Sequence, residues 1–215
     1  PLLAMVVGLV ESPRVVRGAF DPKYLSLPRP VITSILDFHQ KMFPVQGPDG
    51  ALLPAFLGVS NNPTPEQDLV RAGYQRVVAA RLADGAFFHE LDRKKPLHEH
   101  GDKLAGITFL RGAGTMADKA GRIAEIARVL AHAHQPEHSD AAARAGRLCK
   151  ADLATHLVGE FPELQGTIGR LYALQDGEEG VVAEAVYEHY LPRGADDGLP
   201  MVEVPQSLER MTGAI

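Results

Sequence analysis

The sequence predicts a mainly α protein, with a small α+β portion followed by an all-helical region. Three observations lead there. Short β-branched runs and turn signals fill the first sixty residues of the 215-residue chain. Beyond them, apolar positions recur at helical spacing almost to residue 190. The stretch SNNPTPE (60–66) separates the two patterns with the composition of a linker. The reading divides the chain into an α+β portion at 1–62, a helical domain at 63–200 and an irregular tail at 201–215.

In chain order, Met5–Val10 and Arg14–Phe20 read as extended segments split by Glu11-Ser12-Pro13. A proline-bounded entry leads to a helix at about 31–41, where Ile32, Ile35, Leu36 and His39 share a face. MFPV (42–45) and LLPAFLGVSN (52–61) flank a Gly/Pro/Asp turn and predict a hairpin. Thr64-Pro65-Glu66-Gln67 is a helix start, and Leu69, Gly73, Val77, Ala80 and Leu82 begin its stripe, which runs on to Phe87, Phe88 and Leu91. Thr115 is placed to cap a helix carrying Ile123, Ile126, Ala127 and Leu130. Ser139 is read as the cap of a helix running through Cys149 to Gly159.

The stretch KADLATHLVGEFPELQGTIGRLYALQDG (150–177) holds the sharpest local signals. Gly159 is read as a left-handed helix stop and Pro162 as the first position of the next helix. Leu153, Leu157, Phe161, Leu164 and Ile168 are expected to be buried. A last helix is expected at about 178–190, with Val182, Ala185, Val186 and Tyr190.

Composition narrows the function. Net charge is −5, so no global basic field drives nucleic-acid binding, although a local basic patch remains open. Trp is absent and aromatics are 6% of the chain, which argues against a base-stacking platform. The single cysteine, Cys149, leaves no internal disulfide or cysteine-rich zinc site. It reads as a packing residue. The apolar opening PLLAMVVGLV lacks a basic flank and reads as a strand, and the chain as part of something longer.

His132, His134 and His138 lie close together, as do His89, His98 and His100 with Asp92. Both clusters admit metal binding as well as plain surface exposure. A metal phosphohydrolase of the HD type needs an adjacent His-Asp pair, and this chain has none; Ala151-Asp152 stands in the expected place. Gly112 and Gly114 precede a helix but lack a phosphate-binding Gly-Lys-Ser/Thr ending, so an ordinary loop fits better. Arg71, Arg76, Arg81, Arg93, Lys94 and Lys95 decorate the first long helix and its end, while Arg144, Arg147 and Lys150 recur at i, i+3 and i+6 as one stripe. A solvated face explains them, and so does a set of phosphate contacts to an RNA backbone.

Five stretches carry a resemblance: HQKMFPVQGPDGALLPAFLGVSN (39–61), RAGYQRVVAARLADGAFFHELDRKKPL (71–97), KLAGITFLRGAGTMADKAGRI (103–123), KADLATHLVGEFPELQGTIGRLYALQDGE (150–178) and AEAVYEHYLPRGADDGLP (183–200). In this order they resemble the β subunit of bacterial heterotetrameric glycyl-tRNA synthetase, over about residues 5–200 and more weakly beyond Pro200. The resemblance implies a B3/4-like portion, then an HD-like helical domain, with an anticodon-binding domain outside this chain. It implies a role in recognising the acceptor arm of tRNA(Gly) and in assembly with the α subunit as α2β2, in the cytoplasm and away from membranes. Glycyl-adenylate chemistry, with ATP and Mg, would belong to the α subunit, and this portion would bind no cofactor and hold no catalytic residue. The tRNA contacts expected from charge placement are Arg71, Arg76, Arg81, Lys94, Lys95, Arg144, Arg147 and Lys150. Asp152 is expected to be a relic of a degenerate metal site. A surviving phosphohydrolase and a purely structural assembly module stand as alternatives.

Overall fold

A computed structural model describes residues 2–61, 66–195 and 198–200. It is mainly helical, with a small antiparallel sheet in the N-terminal part. Packing divides the chain into two compact units, Pro1–Glu90 and Leu91–Ile215. The division falls inside the long helix α3 (Gln67–Asp92). Residues 62–65, around which the sequence places its boundary, lie outside the described residues, as does the tail at 201–215.

In the first unit, β1 (Arg14–Ala19), β2 (Phe43–Gln46) and β3 (Leu52–Ser60) form a sheet in the order β1-β3-β2, antiparallel throughout. The hairpin read from the Gly/Pro/Asp turn is β2–β3. Gly18 pairs with Phe56, and a Cβ there would lie 2.2 Å from the Phe56 ring, so the missing side chain makes room for a fully buried aromatic. The expected helix at 31–41 is α2 (Arg29–Thr33) running into a π-helical segment, Ser34–His39. It buries Val31, Ile32, Ile35 and Leu36. Against it lies Gly85 of α3, whose Cβ would meet Ile35 at 3.0 Å.

Two expectations are corrected in this unit. The opening is a helix, α1 (Leu2–Leu9), not a strand. Leu, Ala and Met outnumber the β-branched residues in it, and helix propensity decides where no partner strand is at hand. On α3 the buried residues are Val78, Leu82 and Gly85, while Leu69, Val77 and Phe87 of the predicted stripe are exposed. A glycine that admits close packing outweighs the larger side chains in choosing the face.

The second unit contains α4 (Leu97–Gly101), a hairpin of β4 (Thr108–Leu110) and β5 (Gly114–Thr115), and helices α5 (Met116–His134), α6 (Ser139–Leu148), α7 (His156–Glu160), α8 (Thr167–Gln175) and α9 (Gly180–Glu188). The Gly112–Gly114 loop turns this hairpin, with φ of 86° and 89° at the two glycines. Thr115 caps α5 as predicted: its Oγ1 accepts from Asp118 N at 3.2 Å, and Asp118 Oδ2 accepts from Thr115 N at 2.8 Å.

The core here is built on small residues. Ala120, Ile123, Ala124, Ala127 and Ala131 of α5 face Ala142, Ala143, Ala145 and Gly146 of α6. Ile126 and Leu130, expected on the buried face, are exposed, because alanines let the two backbones approach more closely than branched residues would. The helix predicted from Ser139 to Gly159 is three pieces: α6, a 3-10 turn at Ala151–Ala154, and α7. Ser139 opens α6 without capping it; its Oγ donates to Pro136 O at 2.9 Å.

Candidate nucleic-acid interface

The corner at 150–170 is built on two buried carboxylates, each bound to backbone N–H groups. Asp92, at the end of α3, is fully buried. Its Oδ1 accepts from His156 N at 2.8 Å and its Oδ2 from Leu157 N at 2.9 Å. Thr155 Oγ1 accepts from Val158 N at 3.3 Å. Together they satisfy three of the orphan donors that open α7. His156 Nδ1 lies 2.8 Å from Asp92 Oδ1, and His100 Nε2 lies 2.9 Å from the Asp92 carbonyl. What read as a His/Asp cluster is therefore a tertiary helix cap.

Asp152 is the second carboxylate, also fully buried. Its Oδ2 accepts from Gly166 N at 2.6 Å. Gly166 has φ 77° and carries the left-handed turn into α8. Gly159, expected to do this, sits inside α7 with ordinary helical backbone. Pro162 does open a helical turn, but a 3-10 turn of three residues, Pro162–Leu164. Burial raises the Asp152 carboxyl to about 6, opposed by the Gly166 N–H and the Lys150 charge. Leu157, Phe161, Leu164 and Ile168 are buried as expected, and Leu153 is half-buried.

Asp152 has cationic rather than metal-binding company. Lys150 is 9% exposed and its Nζ lies 3.9 Å above the Tyr190 ring. His189 Nδ1 lies 2.8 Å from Val186 O, and burial drives its imidazole down to about 3, with Lys150, Arg193 and Lys119 adding to the shift. Among the described residues, no three His, Cys, Asp or Glu side chains come together in a way that could hold a metal ion. His132 and His134 are exposed at the end of α5. Cys149 is buried, its Sγ donates to Gly146 O at 3.2 Å, and burial pushes the thiol up to about 12, which leaves it inert.

The predicted basic residues fare differently from one another. Arg71, Arg76 and Arg81 belong to the first unit; Arg71 pairs with Asp68, and Arg81 lies 3.6 Å from Asp84. Arg76 is exposed. Lys94 and Lys95 are exposed just past α3, with Lys95 Nζ 3.9 Å from Glu99. Arg93, beside them, binds Asp176 at 2.7 Å, and Asp176 in turn accepts from Leu97 N. The predicted stripe of Arg144, Arg147 and Lys150 is not one surface. Arg144 Nε binds both Glu178 carboxylate oxygens at 3.1 Å, Arg147 is exposed, and Lys150 lies beyond the end of α6, out of helical register and buried.

Two residues near Lys150 were not singled out in the sequence. Lys119, on α5, lies over the Phe109 ring at 4.1 Å. Arg193 donates to Gln165 O at 2.8 Å and lies 5.7 Å from the Tyr190 ring centroid. Neither belongs to a charged run, so spacing gave no signal for either.

The family described as glycyl-tRNA synthetase beta subunit matches residues 1–209. The chain belongs to that family. The match runs past Pro200, where the resemblance read from the sequence weakens. Glycine–tRNA ligase beta subunits from Acaryochloris marina and Trichodesmium erythraeum are each 46% identical, over 95% and 93% of this chain. That of Syntrophomonas wolfei is 45% identical over 93%. The chain spans about 29% of the length of each of these relatives. No helix among the described residues is long and apolar enough to cross a membrane.

Proposed function

We propose that this chain is a portion of the β subunit of a glycine–tRNA ligase, acting in the cytoplasm within an α2β2 enzyme. It supports recognition of the tRNA(Gly) acceptor arm and assembly with the α subunit. The formation of glycyl-adenylate, with ATP and Mg, is assigned to the α subunit, and no catalytic residue to this chain. The observation that carries the reading is the 46% identity to glycine–tRNA ligase beta subunits over 95% of the chain. The corner adds physical support: the carboxylates of Asp92 and Asp152 accept backbone N–H bonds that hold α7 and the Gly166 turn in place.

The phosphohydrolase alternative needs Asp152 free to bind a metal, whereas one oxygen holds Gly166 and a lysine ammonium stands nearby. A purely structural module leaves the exposed Arg76, Lys94 and Arg147 without a task. The test reverses these three, one at a time, to Glu in the complete ligase. The KM for tRNA should rise at least about five-fold for those that face the RNA, by loss of phosphate neutralisation. Glycine-dependent pyrophosphate exchange, which needs no tRNA, should stay intact. An unchanged KM in all three would leave the structural module as the better account.

A further inference from the structure

Three cations from three separate elements meet around one aromatic ring in the second unit. Lys150 Nζ is 3.9 Å from the Tyr190 centroid. Arg193 Cζ is 5.7 Å from the same centroid and 5.6 Å from that of Tyr187. Lys119 acts electrostatically on both Lys150 and His189, which brings it into the same neighbourhood. Among the described residues, no carboxylate lies within ion-pair distance of the Lys119 or Lys150 ammonium. Asp152 is the carboxylate whose charge Lys150 and Tyr190 feel, and its Oδ2 is taken by Gly166. Three buried polar atoms in the cluster, Asp152 Oδ1, His189 Nε2 and Tyr190 Oη, have no hydrogen-bond partner.

Like charges brought together without counter-charges repel one another, and burial strengthens the repulsion. A buried lysine without a carboxylate partner is uncommon. The arrangement becomes favourable when an anion joins it. We propose that Lys119, Lys150 and Arg193 form a seat for a phosphodiester of an RNA backbone, with Tyr190 as its floor. The choice of RNA rests on the reading of this chain as a tRNA-ligase subunit; the charge cluster does not. Two of the three cations are lysines, point charges that suit a passing backbone more than a base edge. Arg193 is exposed, so the seat is open on that side to a continuing strand.

The experiment uses the complete ligase and a tRNA(Gly) transcript, with Kd measured across a KCl series from roughly 50 to 200 mM. The pair Lys119→Gln and Arg193→Gln should raise Kd about ten-fold at roughly 100 mM salt. It should also flatten the slope of log K against log salt by about 1.5, since each lost contact removes about 0.7–0.9. The pair Lys119→Arg and Arg193→Lys keeps both charges and should restore most of the binding. Lys150→Met keeps the contact with Tyr190 and should also weaken binding. Arg128→Gln, whose guanidinium is held by Glu125, is the control and should match the parent.

A parental Kd and slope in the double variant overturn the seat while leaving the ligase reading in place. A variant that loses inhibition by inorganic phosphate yet binds tRNA as before makes the cluster a small-anion site and overturns the RNA assignment. A parent enzyme that binds no tRNA overturns both readings.

Discussion

Gly166 shows how one residue fixes the corner. Its φ of 77° lies where an L side chain is strained by roughly 1 kcal/mol or more. Its surroundings add a second constraint. A Cβ would lie 2.9 Å from Tyr190 Cδ2 and 3.2 Å from Tyr187 O. Gly166→Ala should therefore lose about 2–4 kcal/mol, the sum of backbone strain and overpacking. Gly177 separates the two contributions, because its φ is 83° and nothing lies within 4 Å of an added Cβ. Gly177→Ala should lose only about 1 kcal/mol. Urea denaturation of both variants checks this, and equal losses would remove the packing part. The two alanine variants also probe Asp152 indirectly, since Gly166 donates the N–H that its carboxylate accepts.

The contact between α5 and α6 is an argument at the scale of elements. Gly146 lies so close to α5 that a Cβ would stand 2.5 Å from Ala124 Cα and 2.7 Å from its N. Those are backbone atoms, so relief requires a shift of the whole helix. Helix propensity favours alanine over glycine by about 1 kcal/mol, but the clash outweighs it. Gly146→Ala should destabilise by about 1–3 kcal/mol. Gly121→Ala, on α5 itself with open space around it, should stabilise by about 0.5–1 kcal/mol. Opposite signs for the two, read from denaturation midpoints, are the expected result, and a stabilised Gly146 variant would contradict the close approach.

The same scale explains what the sequence showed and what it hid. Local chemistry was legible: the β2–β3 hairpin, the Thr115 cap and the stop near residue 190 each depend on residues a few positions apart. Tertiary chemistry was not. Asp92 caps a helix that starts 64 residues later in the chain, and no spacing rule reaches that far. The stripe Arg144–Arg147–Lys150 assumed a continuous helix, yet α6 ends at Leu148. For the candidate site, Lys150 was found by its charge and motif, while Lys119 and Arg193 joined it only through the fold.

For the whole molecule, charge must act locally. At a net charge of −5 the chain as a whole repels RNA, so binding depends on where cations stand without partners. The cluster around Tyr190 also shapes the pH dependence of folding. Asp152 is raised from 3.8 to about 6, so the folded state holds its proton more tightly than the unfolded chain. Its contribution to stability therefore falls as pH rises from about 4 to 6. His189 is lowered from 6.5 to about 3, so the folded state resists its protonation. Its contribution rises with pH between about 3 and 6.5. Between pH 4 and 6 the two slopes oppose each other, each amounting to about 1.4 kcal/mol per pH unit at most. Asp152→Asn removes one of them and keeps a carbonyl oxygen to accept from Gly166. The variant should then lose stability on acidification from pH 6 to 4 more steeply than the parent. Exposed carboxylates such as Asp118 and Glu125 titrate in both proteins and cancel in the difference. Relative to the parent, the variant should gain up to about 3 kcal/mol between pH 4 and 7. Denaturation midpoints across that range measure it, and parallel curves would show that Asp152 titrates in the folded state as it does in water.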